Sequence, residues 1–219
     1  MAEAKAVSLA DEWGGGTFPY RVSHRKLGMW LFIMSDSLTF GALLVTYAYA
    51  RLSSVNWPTP FKFHPSVTFS TVMTLVLLSS SLTMVFAVAA AKKRDKKKAR
   101  LWILATMFFG ATFIALHSYE WHHLIVDEGL TPFQLPDEWA HVWPGASPLF
   151  GSAFFGITGL HMFHVFSGVC YLGVIAARIR KFKADDVEVS GLYWHFVDLV
   201  WMFVFPLIYL MSVDFRPGS

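Results

Sequence analysis

Five runs of this sequence are apolar for longer than a soluble core helix needs, and they leave few folds open. They cover residues 27–50, 67–91, 101–125, 150–177 and 192–213. Crossing the hydrocarbon core of a bilayer takes about 20 apolar residues in a helix, and every run is long enough. The runs are continuous rather than alternating, and an open sheet would leave backbone groups unpaired in lipid, so helices are expected rather than a barrel. Composition agrees: 55% of the 219 residues are hydrophobic and 15% charged, against about 25% charged in a soluble domain. Mean hydropathy is +0.47. The predicted fold is all-α, a five-transmembrane-helix bundle. The membrane domain is residues 26–213, between an N-terminal cytoplasmic segment (1–25) and a C-terminal tail (214–219). No linker or repeat marks a second domain, and the first run is too long and too far from Met1 for a secretory signal.

Basic residues set the expected orientation. Lys5, Arg21, Arg25 and Lys26 precede the first run. The segment "KKRDKKKAR" (92–100) contributes seven more between the second and third runs, and "RIRKFK" (178–183) contributes four after the fourth. Fifteen of the 18 Lys and Arg therefore share one side, and Arg51, Lys62 and Arg216 take the other. Because cytoplasmic loops concentrate Lys and Arg, the N-terminus is expected inside and the C-terminus outside. "KKRDKKKAR" reads as a topological anchor beside anionic headgroups, and the formal net charge of +3 as a consequence of topology, with no nucleic-acid partner. The loop 126–149 carries Asp127, Glu128, Asp137 and Glu138 and no Lys or Arg. It is read either as a solvated loop or as an acidic surface for a basic electron-carrier protein. The single cysteine, Cys170, excludes an internal disulfide and a thiolate cluster, and is expected to be a small core residue.

Ionisable groups inside hydrocarbon are expensive, and default to functional candidates. Asp36 lies about ten residues into the first run, too far from Lys26 and Arg51 to pair with either. It is read as a proton-related group or as a carboxyl hydrogen-bonded to a neighbouring helix. In "LHSYEWHH" (116–123), His117 and His123 flank Glu120 at helical spacing. That is a partial metal-ligand pattern of the kind helical bundles use, or else an interfacial hydrogen-bonded cluster. His161 and His164 sit one turn apart among Gly156, Gly159, Ser167 and Gly168. Small residues allow close helix contact and His can bond across it; paired His could also be axial heme ligands. In "VEVSGLYWHFVDLVW" (187–201), Glu188 is expected just before the last helix, with Trp194, His195 and Asp198 in the following turns. His195 and Asp198 are expected to share partners with each other or with a histidine of the fourth span, and Asp198 to join His161 or His164 in a polar staple. Pro206 is expected to kink this helix.

These segments resemble subunit III of the heme–copper respiratory oxidases, the cytochrome c oxidase subunit III family, over about residues 26–213. "LGMWLFIMSD" resembles the start of that family's third helix, with Asp36 where a carbodiimide-reactive glutamate is usual. "HSYEW" resembles its Q-A-x-E-Y segment, Glu120 matching the acid and His117 replacing an amide. "GSAFFGITGLHMFHVFSG" is similar to S-x-F-F-x-x-T-G-F-H-x-x-H-V-x-x-G. "EVSGLYWHFVDLVWMFVFPLIY" is similar to E-x-x-x-W-Y-W-H-F-V-D-x-V-W, with Glu188 as its glutamate. The best-known members have seven helices and hold phospholipid in a cleft made with the first two, whereas five spans are read here. Five-helix forms occur in bacterial oxidases, including quinol oxidases and enzymes that associate with other respiratory complexes.

The resemblance implies a multi-pass protein of the bacterial plasma membrane. It would be a non-catalytic subunit of an oxidoreductase complex, with no cofactor or metal of its own. Hemes and copper would lie in the partner subunits. Subunit I reduces oxygen while pumping protons, and subunit II takes electrons from cytochrome c. Subunit III packs on subunit I, sustains proton uptake and protects the enzyme during turnover. Membrane lipids, a bound phospholipid and other respiratory complexes are further implied partners. Asp36, Glu120, His161, His164, Glu188, Trp194, His195 and Asp198 are expected to be structural or proton-related polar sites. Two rival readings stay open: a quinol-oxidase subunit III, and a membrane b-type cytochrome using His117, His161 or His164.

Overall fold

A computed structural model describes residues 23–62 and 66–214. The segment containing Lys5 and Arg21, and the tail with Arg216, lie outside the described residues. Among the described residues six α-helices follow in order: α1 (His24–Ser53), α2 (Thr68–Lys92), α3 (Lys96–His122), α4 (Asp137–Val142), α5 (Leu149–Ala177) and α6 (Ala184–Val204). All except α4 are long and apolar enough to cross a membrane. Among the described residues there is no strand, only two isolated bridges, Asn56 with Ala146 and Phe61 with Val213.

Helix boundaries follow local chemistry. The Ser23 hydroxyl accepts from the Lys26 N–H at the start of α1, and the Asp95 carboxylate accepts from the Lys98 N–H at 3.1 Å at the start of α3. Both satisfy donors that a helix N-terminus leaves open. That Lys98 N–H, with the Lys98 charge beside it, holds Asp95 below the ordinary carboxylate range despite some desolvation. Between α2 and α3 the backbone reverses through Arg94 at φ 62°. The Arg94 and Asp95 N–H groups return to the Ala91 and Ala90 carbonyls at 2.9 and 3.0 Å, closing the helix with a Schellman-type turn in which glycine is the usual residue.

One expectation is corrected at α6. The helix begins at Ala184, eight residues before the apolar run, so Glu188 lies within it rather than before it. The acidic start explains this: the Asp186 carboxylate accepts from the Lys183 N–H at 2.9 Å, and acids favour the positive end of a helix. At Pro206 the α-helical pattern gives way. The chain widens into a π-type turn at Phe205–Tyr209 and tightens again at Leu210–Ser212, absorbing the N–H that proline lacks. A further correction concerns Cys170, which faces outward from α5. The loop after α3 also holds more order than expected, because α3 continues as a wide turn to Asp127 and α4 forms within the loop.

Helices α2, α3, α5 and α6 form a closed ring, in which α2 packs on α3 and α6, and α5 packs on α3 and α6. Helix α1 leans against α5 and α6 from outside. Half of the most apolar window of α6 is buried, 50%, against 6% for α1. Burial decides the roles: α6 is the core helix, and α1 depends on a few specific contacts. The fully buried Trp194 of α6 enters a slot walled by two glycines. A Cβ on Gly110 would lie 2.5 Å from Trp194 Cη2, and one on Gly168 would lie 3.0 Å from Trp194 Cε3 and Cζ3.

The basic segments gather at one end of the bundle. Lys96 Nζ, from the α2–α3 turn, donates to the Arg180 carbonyl of the α5–α6 turn at 2.7 Å. Arg25 and Lys26 of α1 pair there with Asp186 and Glu188. Arg51 reaches the Met211 carbonyl at the other end.

Candidate functional site

The candidate residues fall into four polar contacts stacked along the bundle. At the basic end, Lys26 Nζ lies 2.8 Å from Glu188 Oε1 and Lys92 Nζ 3.3 Å from Oε2, while Ser23 donates to Asp185 at 2.6 Å and Arg25 to Asp186. Glu188 thus ties α1 and α2 to α6. Partly exposed ion pairs add about 0–1 kcal/mol each, so this belt fixes register more than it adds stability.

Deeper, His164 of α5 meets Asp36 of α1, with Nε2 2.9 Å from Oδ2. The other ring nitrogen, Nδ1, lies 2.8 Å from the Leu160 carbonyl. A carbonyl only accepts, so Nδ1 carries a proton. The Nε2–Oδ2 contact then holds one further proton, shared between a neutral pair and an ion pair, and the pair is net-neutral in either form. The same turn is fastened to α6: Tyr193 donates to the His164 carbonyl at 3.1 Å and lies 2.7 Å from the Ser167 hydroxyl.

The expected staple between Asp198 and His161 or His164 is not formed. Its physical reason is that α1 supplies His164 with a carboxyl, while Asp198 faces α2. Ser81 of α2 lies 2.7 Å from His195 Nδ1, with the Asp198 carboxylate beside it. His195 and Asp198, one turn apart, therefore both face Ser81. Asp198 Oδ1 has no hydrogen-bond partner. Helices α5 and α6 are joined instead through Tyr193. Trp194 does not contact Asp198 by hydrogen bonding either; its indole donates to Ser80 at 2.9 Å.

The fourth contact centres on Glu120 of α3. Its carboxylate accepts from Ser70 at 2.8 Å and from Tyr209 at 2.7 Å. The wide turn after Pro206 carries Tyr209, so the irregular end of α6 delivers this donor. His117 Nδ1 lies 3.5 Å from Glu120 Oε2, beyond good hydrogen-bond geometry. His117 and His161 are both wholly buried, and none of their four ring nitrogens has a hydrogen-bond partner. They sit in an aromatic box: His117 stacks on Phe113 at 5.7 Å, and His161 lies 4.9 Å from Trp201. His123 diverges to the surface, 3.8 Å from Asp127 and from Glu128. A cleft of about 280 Å³ opens beside Glu120, walled by Phe69, Tyr119 and Leu124 with His123 and Glu128. Partial burial pushes the Glu128 carboxyl above its ordinary range, against the opposing pull of His123. Among the described residues no three of His, Cys, Asp and Glu converge as a ligand set for a metal ion, so His117, Glu120 and His123 do not form the partial site their spacing suggested.

Ser70, Ser81, Tyr193 and Tyr209 belong to these contacts and were missed from the sequence. The signal for two of them was present. Ser66, Ser70 and Thr74 recur every four residues along one stripe of the second apolar run, followed by Ser80 and Ser81. For Tyr209 there was none, because its position depends on the turn geometry after Pro206.

A family model described as cytochrome c oxidase subunit III matches residues 14–213. The chain is 33% identical to cytochrome c oxidase subunit 3 of Alkalihalophilus pseudofirmus, across 87% of this chain and 88% of the relative. It is likewise 33% identical to cytochrome c oxidase subunit 3 of Bacillus subtilis, across 87% of each. Similarity extends to cytochrome bo(3) ubiquinol oxidase subunit 3 of Pseudomonas putida, 36% identical across 85% of this chain and 86% of the relative.

Proposed function

The chain belongs to the cytochrome c oxidase subunit III family, and from that premise we propose that it is the accessory, cofactor-free subunit of a proton-pumping cytochrome c oxidase, packed on subunit I in the bacterial plasma membrane. That it is subunit III of a heme–copper oxidase follows from the family and the relatives together. In this reading, hemes and copper belong to subunits I and II, and this subunit stabilises subunit I and supports proton uptake. The N-terminus and the basic end of the bundle face the cytoplasm, in line with the positive-inside rule.

The observation that carries the accessory reading is the engagement of His164. Both its ring nitrogens are used, one on the Leu160 carbonyl and one on Asp36, so it has no lone pair to offer a heme iron without breaking the α1–α5 contact. This removes His164 from the three candidate ligands of the membrane-cytochrome alternative, which needs two axial ligands, while His117 and His161 are packed edge and face against Phe113 and Trp201. The ionisable groups act instead as fasteners between helices. The test is removal of this chain from the purified complex. Heme and copper per complex should stay unchanged, while the working lifetime under turnover shortens. Loss of a stoichiometric heme or copper with the chain would overturn the reading.

A second reading, a quinol oxidase, is favoured by one observation, the 36% identity to the ubiquinol oxidase subunit of Pseudomonas putida. The donor is set in subunit II. Copper ligands in the subunit II that copurifies with this chain support cytochrome c, and their absence supports quinol.

A further inference from the structure

At the basic end, the α2–α3 and α5–α6 turns enclose a pocket of about 400 Å³ beside the Lys96–Arg180 bridge. Its floor is apolar and buried, formed by Ala91, Ile179 and Val187. Its rim carries Arg94, Lys96 and Lys183. The nearby acids are engaged elsewhere: Asp95 with Lys98, Asp185 with Ser23, Asp186 with Arg25, and Glu188 with Lys26 and Lys92. None of these ion pairs involves Arg94, Lys96 or Lys183. Arg94 also holds a left-handed backbone conformation, φ 62°, at a position where glycine would be unstrained.

We propose that this pocket binds the headgroup phosphate of an anionic phospholipid, with the glycerol region and upper acyl chain against the apolar floor. The position suits that ligand. The rim lies where α2 ends, α3 begins and α6 begins, the level at which a spanning helix meets lipid headgroups. A free phosphate would satisfy the rim and leave the floor bare. A phospholipid covers both, and it is drawn from a leaflet that these helices already cross.

The test uses the purified oxidase complex containing this chain, with phosphatidylglycerol retention measured by native mass spectrometry. Three forms are compared: the wild type, the double variant Arg94→Gln/Lys183→Gln, and a charge-matched control, Lys97→Gln/Arg100→Gln, whose residues are exposed and outside the pocket. Each rim cation removed should weaken retention about fivefold, so the rim variant loses one phosphatidylglycerol per complex that the wild type and the control keep. Phosphatidylcholine should not replace it, and millimolar inorganic phosphate should not displace it. Equal retention in all three forms, equal loss in the control, equal binding of phosphatidylcholine, or displacement by inorganic phosphate would each overturn the proposal.

Discussion

His164 and Asp36 join α5 to α1 across the least buried interface of the bundle, with 2.9 Å between Nε2 and Oδ2. Helix α1 has few other fixed points. Ser23, Arg25 and Lys26 hold its start, and near its end Tyr47 lies 3.1 Å from the Ser212 hydroxyl while Arg51 reaches the Met211 carbonyl. Between these, shallow apolar crevices run along both sides, one against α5 and one against α6. The mid-membrane pair is therefore the contact that sets how deep and at what rotation α1 sits.

Asp36→Asn and Asp36→Leu should behave differently. The Asn amide can donate to His164 Nε2, since Nδ1 already carries a proton, so it keeps the link and discards only the shared proton. Leu leaves Nε2 unpartnered in a low-dielectric site, at a cost of about 1–3 kcal/mol. Asp36→Leu should lower the thermal midpoint of the complex, and Asp36→Leu/His164→Leu should recover part of that loss. Asp36→Asn should leave oxygen reduction and the proton-to-electron ratio of the reconstituted enzyme largely intact. Loss of pumping with assembly unchanged would show that this carboxyl carries protons rather than fastening a helix.

The Trp194 slot predicts opposite effects for the same substitution at two glycines. Gly110→Ala puts a methyl 2.5 Å from Trp194 Cη2, and overpacking of this kind costs about 1–3 kcal/mol. At Gly156 a Cβ meets nothing within 4 Å, so Gly156→Ala should gain up to about 1 kcal/mol of helix propensity. Retention of the subunit through detergent washing is the readout. Equal tolerance of both variants would mean that the indole can leave the slot, and that its bond to Ser80 does not hold it.

What the sequence could convey followed the range of the interactions. Five spans were legible because hydrophobic length is a local property. The start of α6 was not, because charged residues outside the apolar run continue the helix to Ala184. The polar residues of the site were nearly all legible as types, since Asp36, Glu120, His164 and Asp198 stand out in hydrocarbon. Their pairing was not. Composition offered Asp198 to His164, but partner choice depends on which faces meet across the α1–α5 and α2–α6 interfaces. A helical repeat fixes the face of a residue within its own helix and says nothing of the neighbour opposite.

Ser81 is hydrogen-bonded to His195 Nδ1 and lies beside Asp198, which makes it the sensitive point of that contact. Ser81→Ala should destabilise about as much as losing one part-buried hydrogen bond with the His195 nitrogen left open, about 1–3 kcal/mol. Asp198→Leu should be milder in the Ser81→Ala background than alone. Each is expected to lower the fraction of complexes that keep the subunit more than it lowers the turnover of those that do. The opposite order, intact retention with reduced turnover, would place Asp198 in the chemistry of the complex rather than in its assembly.

His117 and His161 give the sharpest contrast with Glu120, since they share a layer and differ only in hydrogen bonding. Glu120 has two donors, Ser70 and Tyr209; the two imidazoles have none. An aromatic stack such as His117 on Phe113 contributes about 0.5–1.5 kcal/mol, while a buried polar group without a partner costs about 1–3 kcal/mol. The unpaired nitrogens outweigh the stacking, so the imidazoles are net destabilising where they sit. His161→Leu and His117→Leu, close in volume and apolar, should therefore leave the thermal midpoint of the complex unchanged or raise it. Tyr209→Phe, which removes one donor from Glu120 while keeping the ring, should lower it. A clear loss of stability in both Leu variants, comparable with that of Tyr209→Phe, would show that the two histidines are hydrogen-bonded in the working enzyme, and that the aromatic box around Phe113 and Trp201 is not dry.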